Sequence, residues 1–432
     1  MIAILIFAGR SRRFWPLQEK SFFPICGTTL IEEQIRRLQS AGIDEILPVA
    51  GRHNLALARK IFKREKIVIQ EDLNLGMRGA LLSALPACGK KPVMIVSSND
   101  VIDESAYRDL IMKGRTKKTG GLILAKRVKK YFPGGYLSLK GKKIIGIVEK
   151  PGAGREPGDL VNIVAHVHAS AGILLAALKA SKPVKDDGYE TALDHLFKKE
   201  SYEAVIYTGP WQAIKYPWHL LSLLPLFLPA GGKPRIAKSA RIHPSAVIEG
   251  PVVIGENVQV FAHATIRGPC CIGAGTVVAS NALVRESSVG ENCVIGYSTE
   301  VVRSIVAGGV WTHSSYIGDS VVGTNTSFGG GTYTGNLRMD EGEIFSSVDG
   351  EKIPTGLKKF GAVIGANCRT GIHVSLSPGI KIGSGSFISS SALIAEDIPD
   401  NSFVKTESVK MTVRKNRWET SIGDRDEFRK KL

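Results

Sequence analysis

The chain has 432 residues, 43% of them hydrophobic, and a formal net charge of +17 at pH 7. This length lies well past the ~250 residues at which single cores stop growing, so two domains are expected. The positive excess falls in short clusters such as Lys63-Arg64 and Lys129-Lys130 without aromatic interleaving, which argues against a nucleic-acid partner and for a basic surface that handles anionic, phosphorylated ligands. Cys26, Cys88, Cys270, Cys271, Cys293 and Cys368 show neither metal-ligand spacing nor a secretory context and read as reduced thiols of a cytoplasmic protein. The longest apolar stretch, 220–230, is interrupted by Ser222, Pro225 and Pro229 and falls short of the ~20 residues of a membrane span, so no membrane association is expected.

In chain order, residues 2–7 read as a buried strand rather than a signal peptide. A helix follows over 30–40, with Glu32, Glu33, Arg36 and Arg37 facing outward, and then strands over 45–50 and 93–97. This alternation predicts parallel crossovers and a doubly wound α/β (Rossmann-like) domain over 1–228. Ligands of such sheets sit beyond the carboxyl ends of the strands. The Pro/Gly-rich segment 228–235 marks the boundary.

From Ile236 onward an aliphatic residue recurs every six positions: Ile242, Ile248, Ile254, Val260, Ile266 and Ile272. One hexad cannot bury its own apolar edge, whereas three close a triangular coil, so 236–405 predicts an all-β parallel β-helix of hexapeptide repeats. Phase is lost over 332–360, which reads as a loop leaving the coils and available for binding. The tail, 406–432, is basic.

The segment after the first strand, Phe7-Ala-Gly-Arg-Ser-Arg-Arg-Phe-Trp-Pro-Leu17, has a small-residue turn and is followed by Lys20, Pro24 and Gly27. Its exposed amides suit a nucleotide's phosphates. It resembles the opening motif of the sugar-1-phosphate nucleotidylyltransferases. Ser11 replaces that motif's second Gly, Arg12 its Thr and Glu19 its Pro. Gln70 with Gly76-Met-Arg-Gly-Ala-Leu81, Ser98-Asn-Asp100, Glu149-Lys-Pro151, Asn162 and Trp211-Gln-Ala-Ile-Lys-Tyr-Pro-Trp218 continue the likeness in order, over residues 1–220. The resemblance implies attack of a sugar-1-phosphate oxygen on the α-phosphorus of UTP or dTTP. It makes Arg13 and Lys20 the catalytic cations and Asp100 the Mg²⁺ ligand, with Gly9, Gln70, Gly76, Glu149, Lys150 and Asn162 as substrate contacts. Ala213 stands where the family has a second metal-site carboxylate or amide, and Met77 stands in the base-reading segment.

In the repeat region, His313-Ser-Ser-Tyr-Ile-Gly-Asp319 and Gly329-Gly-Gly-Thr-Tyr-Thr-Gly-Asn336 are similar to elements of the acetyltransferase half of the bifunctional N-acetylglucosamine-1-phosphate uridylyltransferases, in particular their archaeal-type relatives. The likeness implies a left-handed coil and a division of labour in which His313 is the general base toward glucosamine-1-phosphate and acetyl-CoA is the acyl donor. Tyr316, Asn336 and Lys359 would contact the sugar phosphate, with Glu300 as a supporting carboxylate. Val302 occupies the place of a phosphate-contacting Lys, with Arg303 adjacent. His243, His263 and His373 lack such company and read as structural. The expected protein is a homotrimeric bifunctional transferase. Two rival readings stay open: a nucleotidylyltransferase for another sugar-1-phosphate on a structural β-helix, and a pseudo-nucleotidyltransferase on an acetyltransferase or assembly scaffold.

Overall fold

The computed structural model describes residues 1–432 apart from 117–118, 183–186, 408–414 and 416–432. The basic tail expected over 406–432 lies almost wholly outside the described residues. The chain forms two compact units, one of Met1–Arg10 with Thr29–Ile214, the other of Ser11–Thr28 with Lys215–Leu432.

The first unit is built on a nine-stranded sheet. Strands Val68–Gln70, Glu45–Gly51, Ile2–Ile6 and Val93–Ser97 lie side by side in parallel, as the strand–helix–strand alternation predicts. The helix between the first two strands in sequence, Leu30–Ser40, starts at a capping box in which Thr29 and Glu32 satisfy each other's backbone amides. Beyond Val93–Ser97 the sheet departs from the expected all-parallel order. Leu160–His168 runs antiparallel to both its neighbours, Val93–Ser97 and Gly121–Arg127. The sheet is therefore mixed, as is common when a doubly wound core is extended.

The second unit carries the hexads. Ile236 pairs with Ile254, Ile242 with Val260, Ile248 with Ile266 and Ile254 with Ile272, all in parallel register. Each six-residue step thus moves the chain to the next of three parallel sheets, and three steps return it one layer further along. The aliphatic positions, among them Ile254, Val260, Ile266, Ile272, Val278, Val284 and Ile295, form one buried cluster. Corners are turned by residues at positive φ, including Asn257, Asn281, Asn292, Asn325 and Asn367, with His263 and His373 in the same role. The ladder partner of Val321 is Val363, so the chain leaves the coils between them. The excursion contains the hairpin Phe345–Val348 with Glu351–Pro354.

The segment Ser11–Thr28 packs on these coils. The Cys26 amide donates to Ser288 Oγ (2.7 Å), Ser384 Oγ donates to the Pro16 carbonyl (3.3 Å), and the Trp15 indole N–H reaches Asp400 (3.1 Å). The Lys381 ammonium sits 4.8 Å from the centre of the Trp15 ring and 3.2 Å from Asp397.

Candidate functional site

In the first unit the motif residues gather at the carboxyl ends of the central strands. Ile2–Ile6 runs out into Gly9, which is exposed and has open space where a Cβ would stand. Gln70 ends its strand buried, and its amide nitrogen donates to the carbonyls of Asp72 (2.9 Å) and Gly76 (2.8 Å), bracing the loop that leads to helix Gly76–Ala84.

Asp100 opens the short strand Asp100–Ile102, whose antiparallel partner is Trp211–Ala213, with Ala213 directly opposite Asp100. The Asp100 backbone carbonyl is held by Gln34 Nε2 (2.6 Å), and Oδ1 accepts from the Trp211 indole (2.8 Å). Trp211 packs on Phe132 at 4.7 Å between ring centroids, which joins Asp100 to the strand pair Gly135–Lys140 and Lys143–Glu149. A Cβ placed on Gly135 would lie 2.9 Å from Asn162 Oδ1 and 3.2 Å from Glu149 Oε2. The side chains of Glu149 and Asn162 therefore converge over a glycine that leaves room for both. Lys150 Nζ pairs with Glu149 Oε1 at 2.9 Å.

Among the described residues, no group of three or more His, Cys, Asp or Glu is placed to hold a metal. One carboxylate joined by substrate phosphate oxygens and water is nonetheless a donor set that Mg²⁺ accepts, so Asp100 fits the ion with substrate bound. Arg13 and Lys20 lie on the segment that packs with the second unit, where the Arg13 guanidinium stands 6.0 Å from the Tyr216 ring centre.

In the second unit, strands Glu300–Val302 and Tyr316–Gly318 are ladder neighbours, with Glu300 beside Tyr316. His313 is exposed at the corner leading into the second of these strands, and no described residue hydrogen-bonds its imidazole. The coil before it is irregular, its strand reduced to single bridges from Trp311 to Val294 and Ser327. Gly318 makes room for Tyr316, because a Cβ there would fall 2.5 Å from the phenol oxygen. Asn336 Nδ2 donates to Tyr316 Oη (3.0 Å) and to Asp319 Oδ2 (2.5 Å). Asp319 takes a bidentate pair from Arg303, at 2.6 and 2.7 Å. Burial opposes the charge on Arg303, yet the hydrogen bonds and charge of Asp319 outweigh it and raise the guanidinium's pKa. Burial, with Asp319 and Glu300 nearby, raises that of the Tyr316 phenol. Glu300 binds Arg285 (2.9 Å), and Lys359 lies in the strand-like bridge to Leu337, next to Asn336.

Residues 3–185 match the MobA-like NTP transferase domain family and residues 231–328 the GMPPB C-terminal domain family. The chain is 33% identical over 417 residues to "Bifunctional protein GlmU" of Methanococcus vannielii, covering 94% of this chain and 97% of that protein. It is 32% identical to the protein of the same name in Methanococcus maripaludis (96% and 100% covered). It is 31% identical to the "Bifunctional sugar-1-phosphate nucleotidylyltransferase/acetyltransferase" of Sulfurisphaera tokodaii (94% and 100% covered).

The chain belongs to this bifunctional family. As a bifunctional sugar-1-phosphate nucleotidylyltransferase/acetyltransferase it is an enzyme of sugar-nucleotide synthesis. Sequence reasoning overlooked Arg285 as the partner of Glu300 and did not anticipate that Asp319 ties Arg303 to Asn336. A cleft of about 290 Å³, lined in part by Ile2, Asp44, Glu45, Glu65 and Cys88, lies at the opposite, amino ends of the strands and includes none of the motif residues. No helix among the described residues is long and apolar enough to cross a membrane.

Proposed function

We propose that this chain acetylates the amine of glucosamine-1-phosphate with acetyl-CoA and couples a sugar-1-phosphate to UTP or dTTP with release of pyrophosphate. The observation that carries the reading is the convergence of Tyr316, Asn336, Asp319 and Arg303 on the coil face that follows His313. The exposed imidazole takes a proton from the amine as nitrogen attacks the thioester carbonyl. The N–C bond forms, the C–S bond breaks, and the coenzyme A thiolate leaves and is reprotonated. Tyr316, Asn336 and Lys359 hold the sugar phosphate. Glu300 keeps Arg285 in place beside them, a supporting part that the pairing favours.

In the first unit Glu149, Lys150 and Asn162 hold the sugar phosphate, and Gln70 shapes the base-reading loop through its bonds to Asp72 and Gly76. Gly9 and Gly76 give the nucleotide close approach to backbone amides. A sugar-phosphate oxygen attacks the α-phosphorus and pyrophosphate leaves, a reaction governed by positioning and charge neutralisation. Asp100 would hold Mg²⁺, which neutralises phosphate charge when bound. Arg13 and Lys20 act on the triphosphate.

The reading places the enzyme in the cytoplasm and assigns 1–228 to nucleotidyl transfer and 236–405 to a left-handed parallel β-helix. It also makes the assembly a homotrimer. Phe387 and Phe403, ladder partners, and Tyr333 and Leu393 on the neighbouring sheet are all half or more exposed, which supports association through the coils.

The test offers a panel of hexosamine and hexose 1-phosphates with acetyl-CoA, following thiol release, and separately with UTP or dTTP and Mg²⁺, following pyrophosphate. Thiol release with glucosamine-1-phosphate and pyrophosphate release with its acetylated product are expected. Absence of either for every sugar phosphate overturns that half of the reading.

A further inference from the structure

Asp319 is a buried carboxylate at positive φ immediately after strand Tyr316–Gly318, and three N–H groups point at it. Arg303 Nε and Nη2 reach its two oxygens at 2.6 and 2.7 Å, and Asn336 Nδ2 reaches Oδ2 at 2.5 Å. An ionised carboxylate can only accept. It therefore decides which end of the Asn336 amide faces inward, namely the nitrogen. The other hydrogen of that nitrogen goes to the Tyr316 hydroxyl oxygen at 3.0 Å. With both amide hydrogens engaged, the end of Asn336 left for a ligand is Oδ1, an acceptor. Tyr316, having accepted, keeps its own O–H as a donor. Arg303, gripped along one edge, keeps its remaining N–H groups for an anion.

We infer that Asp319 is a positioning residue that sets the hydrogen-bond polarity of the acetyl-acceptor site, and this rests on the acetyltransferase reading above. The site so arranged offers an acceptor, a donor and a cation. Its complement is a sugar bearing an amine or hydroxyl donor, an acceptor oxygen and a phosphate, and the selection is for that sugar, not for coenzyme A.

The test measures KM separately for glucosamine-1-phosphate and acetyl-CoA in full-length Asp319→Asn, with the melting temperature alongside. The isosteric amide has one acceptor oxygen, which serves either Arg303 Nε alone or Arg303 Nη2 together with Asn336; in either orientation its NH₂ group faces a donor, which loosens the Arg303 fork and the fixed end of Asn336. KM for the sugar phosphate is expected to rise about tenfold or more, the scale of a lost hydrogen bond to a charged group, while KM for acetyl-CoA stays within about twofold. A second pair, Asn336→Asp and the exchange Asp319→Asn with Asn336→Asp, reads the same polarity. The single change puts two carboxylates together and should weaken sugar-phosphate binding. In the exchange the amide at 319 accepts from Arg303 and donates to the carboxylate at 336, which leaves an outward acceptor while the Tyr316 O–H turns inward, so part of the binding should return. An unchanged sugar-phosphate KM, equal rises for both substrates, or an exchange no better than Asn336→Asp overturns the inference. If Asp319→Asn fails to fold, the exchange pair decides. A wild-type enzyme that releases no thiol with any amino-sugar phosphate would instead refute the acetyltransferase reading itself.

Discussion

Ala213→Asp makes the sharpest test of the nucleotidyl site, because the residue lies directly across an antiparallel ladder from Asp100. Side chains so placed have Cβ atoms ~4.5–5.5 Å apart. Two carboxylates at about 5 Å repel by roughly 3 kcal/mol at an effective dielectric constant of ~20. Asp100 is only partly buried, so solvent screening brings the net cost to about 1–2 kcal/mol. For a unit of this size that lowers Tm by ~2–8 °C. A divalent cation bridging the pair reverses the penalty, and saturation at tenfold to a hundredfold over its Kd adds about 1.4–2.7 kcal/mol. Differential scanning fluorimetry of wild type and variant, each with EDTA and with 10 mM MgCl₂ (a concentration of about tenfold or more over a sub-millimolar Kd), should show the variant melting lower without metal and gaining more from it. Pyrophosphate release by the variant should at least equal that of wild type. If Tm is unchanged without metal and Mg²⁺ shifts both proteins alike, position 213 does not face a cation site beside Asp100.

Three further outcomes are expected. His313→Ala should slow thiol release with glucosamine-1-phosphate by ~10²- to 10⁴-fold, the usual cost of losing a general base, with Tm nearly unchanged because the ring is exposed; a wild-type rate would exclude His313 as the base. Gly318→Ala should push the Tyr316 ring away from Asn336, since the new Cβ would sit 2.5 Å from its oxygen; losing that hydrogen bond costs ~1 kcal/mol, about fivefold in sugar-phosphate KM, and an unchanged KM would show that Tyr316 does not bind the sugar. The first unit should lose stability in acid through His166 and His168. Burial, joined for His168 by the nearby His166 charge, lowers both to about 3. The unfolded chain therefore takes up protons first, so the stabilisation is complete above ~pH 6.5 and is lost as pH falls toward the folded value, by up to ~1.4 kcal/mol per pH unit for each ring. His166→Phe should lessen that slope in urea melts between pH 7 and 5, because it removes one titrating ring; His166 Nε2 has no partner among the described residues, and Tyr189, which loses its bond to His166 Nδ1 (2.8 Å), keeps the one to His168 (3.0 Å); an unchanged slope would refute the assignment.

What was legible in the sequence follows from where each signal resides. A hexad repeat is a local pattern, and each aliphatic residue stacks on a copy of itself, as Ile236 does on Ile254. The fold of 236–405 could thus be read as parallel stacked strands. Strand direction is not local. The run Leu160–His168 is strand-like and mostly buried, but its antiparallel pairing with Val93–Ser97 depends on the path of the intervening chain. The packing of Ser11–Thr28 was equally hidden, because it depends on single distant partners such as Ser288, Ser384 and Asp400. The separate motifs around Asp100, Glu149 and Asn162 were readable one at a time. Their meeting over Gly135 and beside Trp211 is set by the sheet.

The polar pairs around Asp319 and Glu300 show which signal could have been used. Arg285 meets Glu300, Arg303 meets Asp319, and Asp319 meets Asn336, and in each case the partners lie close to one coil apart in sequence. Once three hexads are known to close a coil, a residue's neighbour in the next layer lies about fifteen to eighteen positions on wherever the coils follow without an excursion, as the register pairs Val284 with Val301 and Val301 with Ile317. Opposite charges at that offset are therefore expected to touch, much as charges four apart do on a helix. Read in this way, the spacing of Arg303 and Asp319 is that of an ion pair between successive layers. On the proposed acetyl-transfer reading, Arg303 stands beside Val302 where a buried carboxylate orients it, and an oriented guanidinium would grip a phosphate through a fixed fork, where a lysine would act as a mobile point charge.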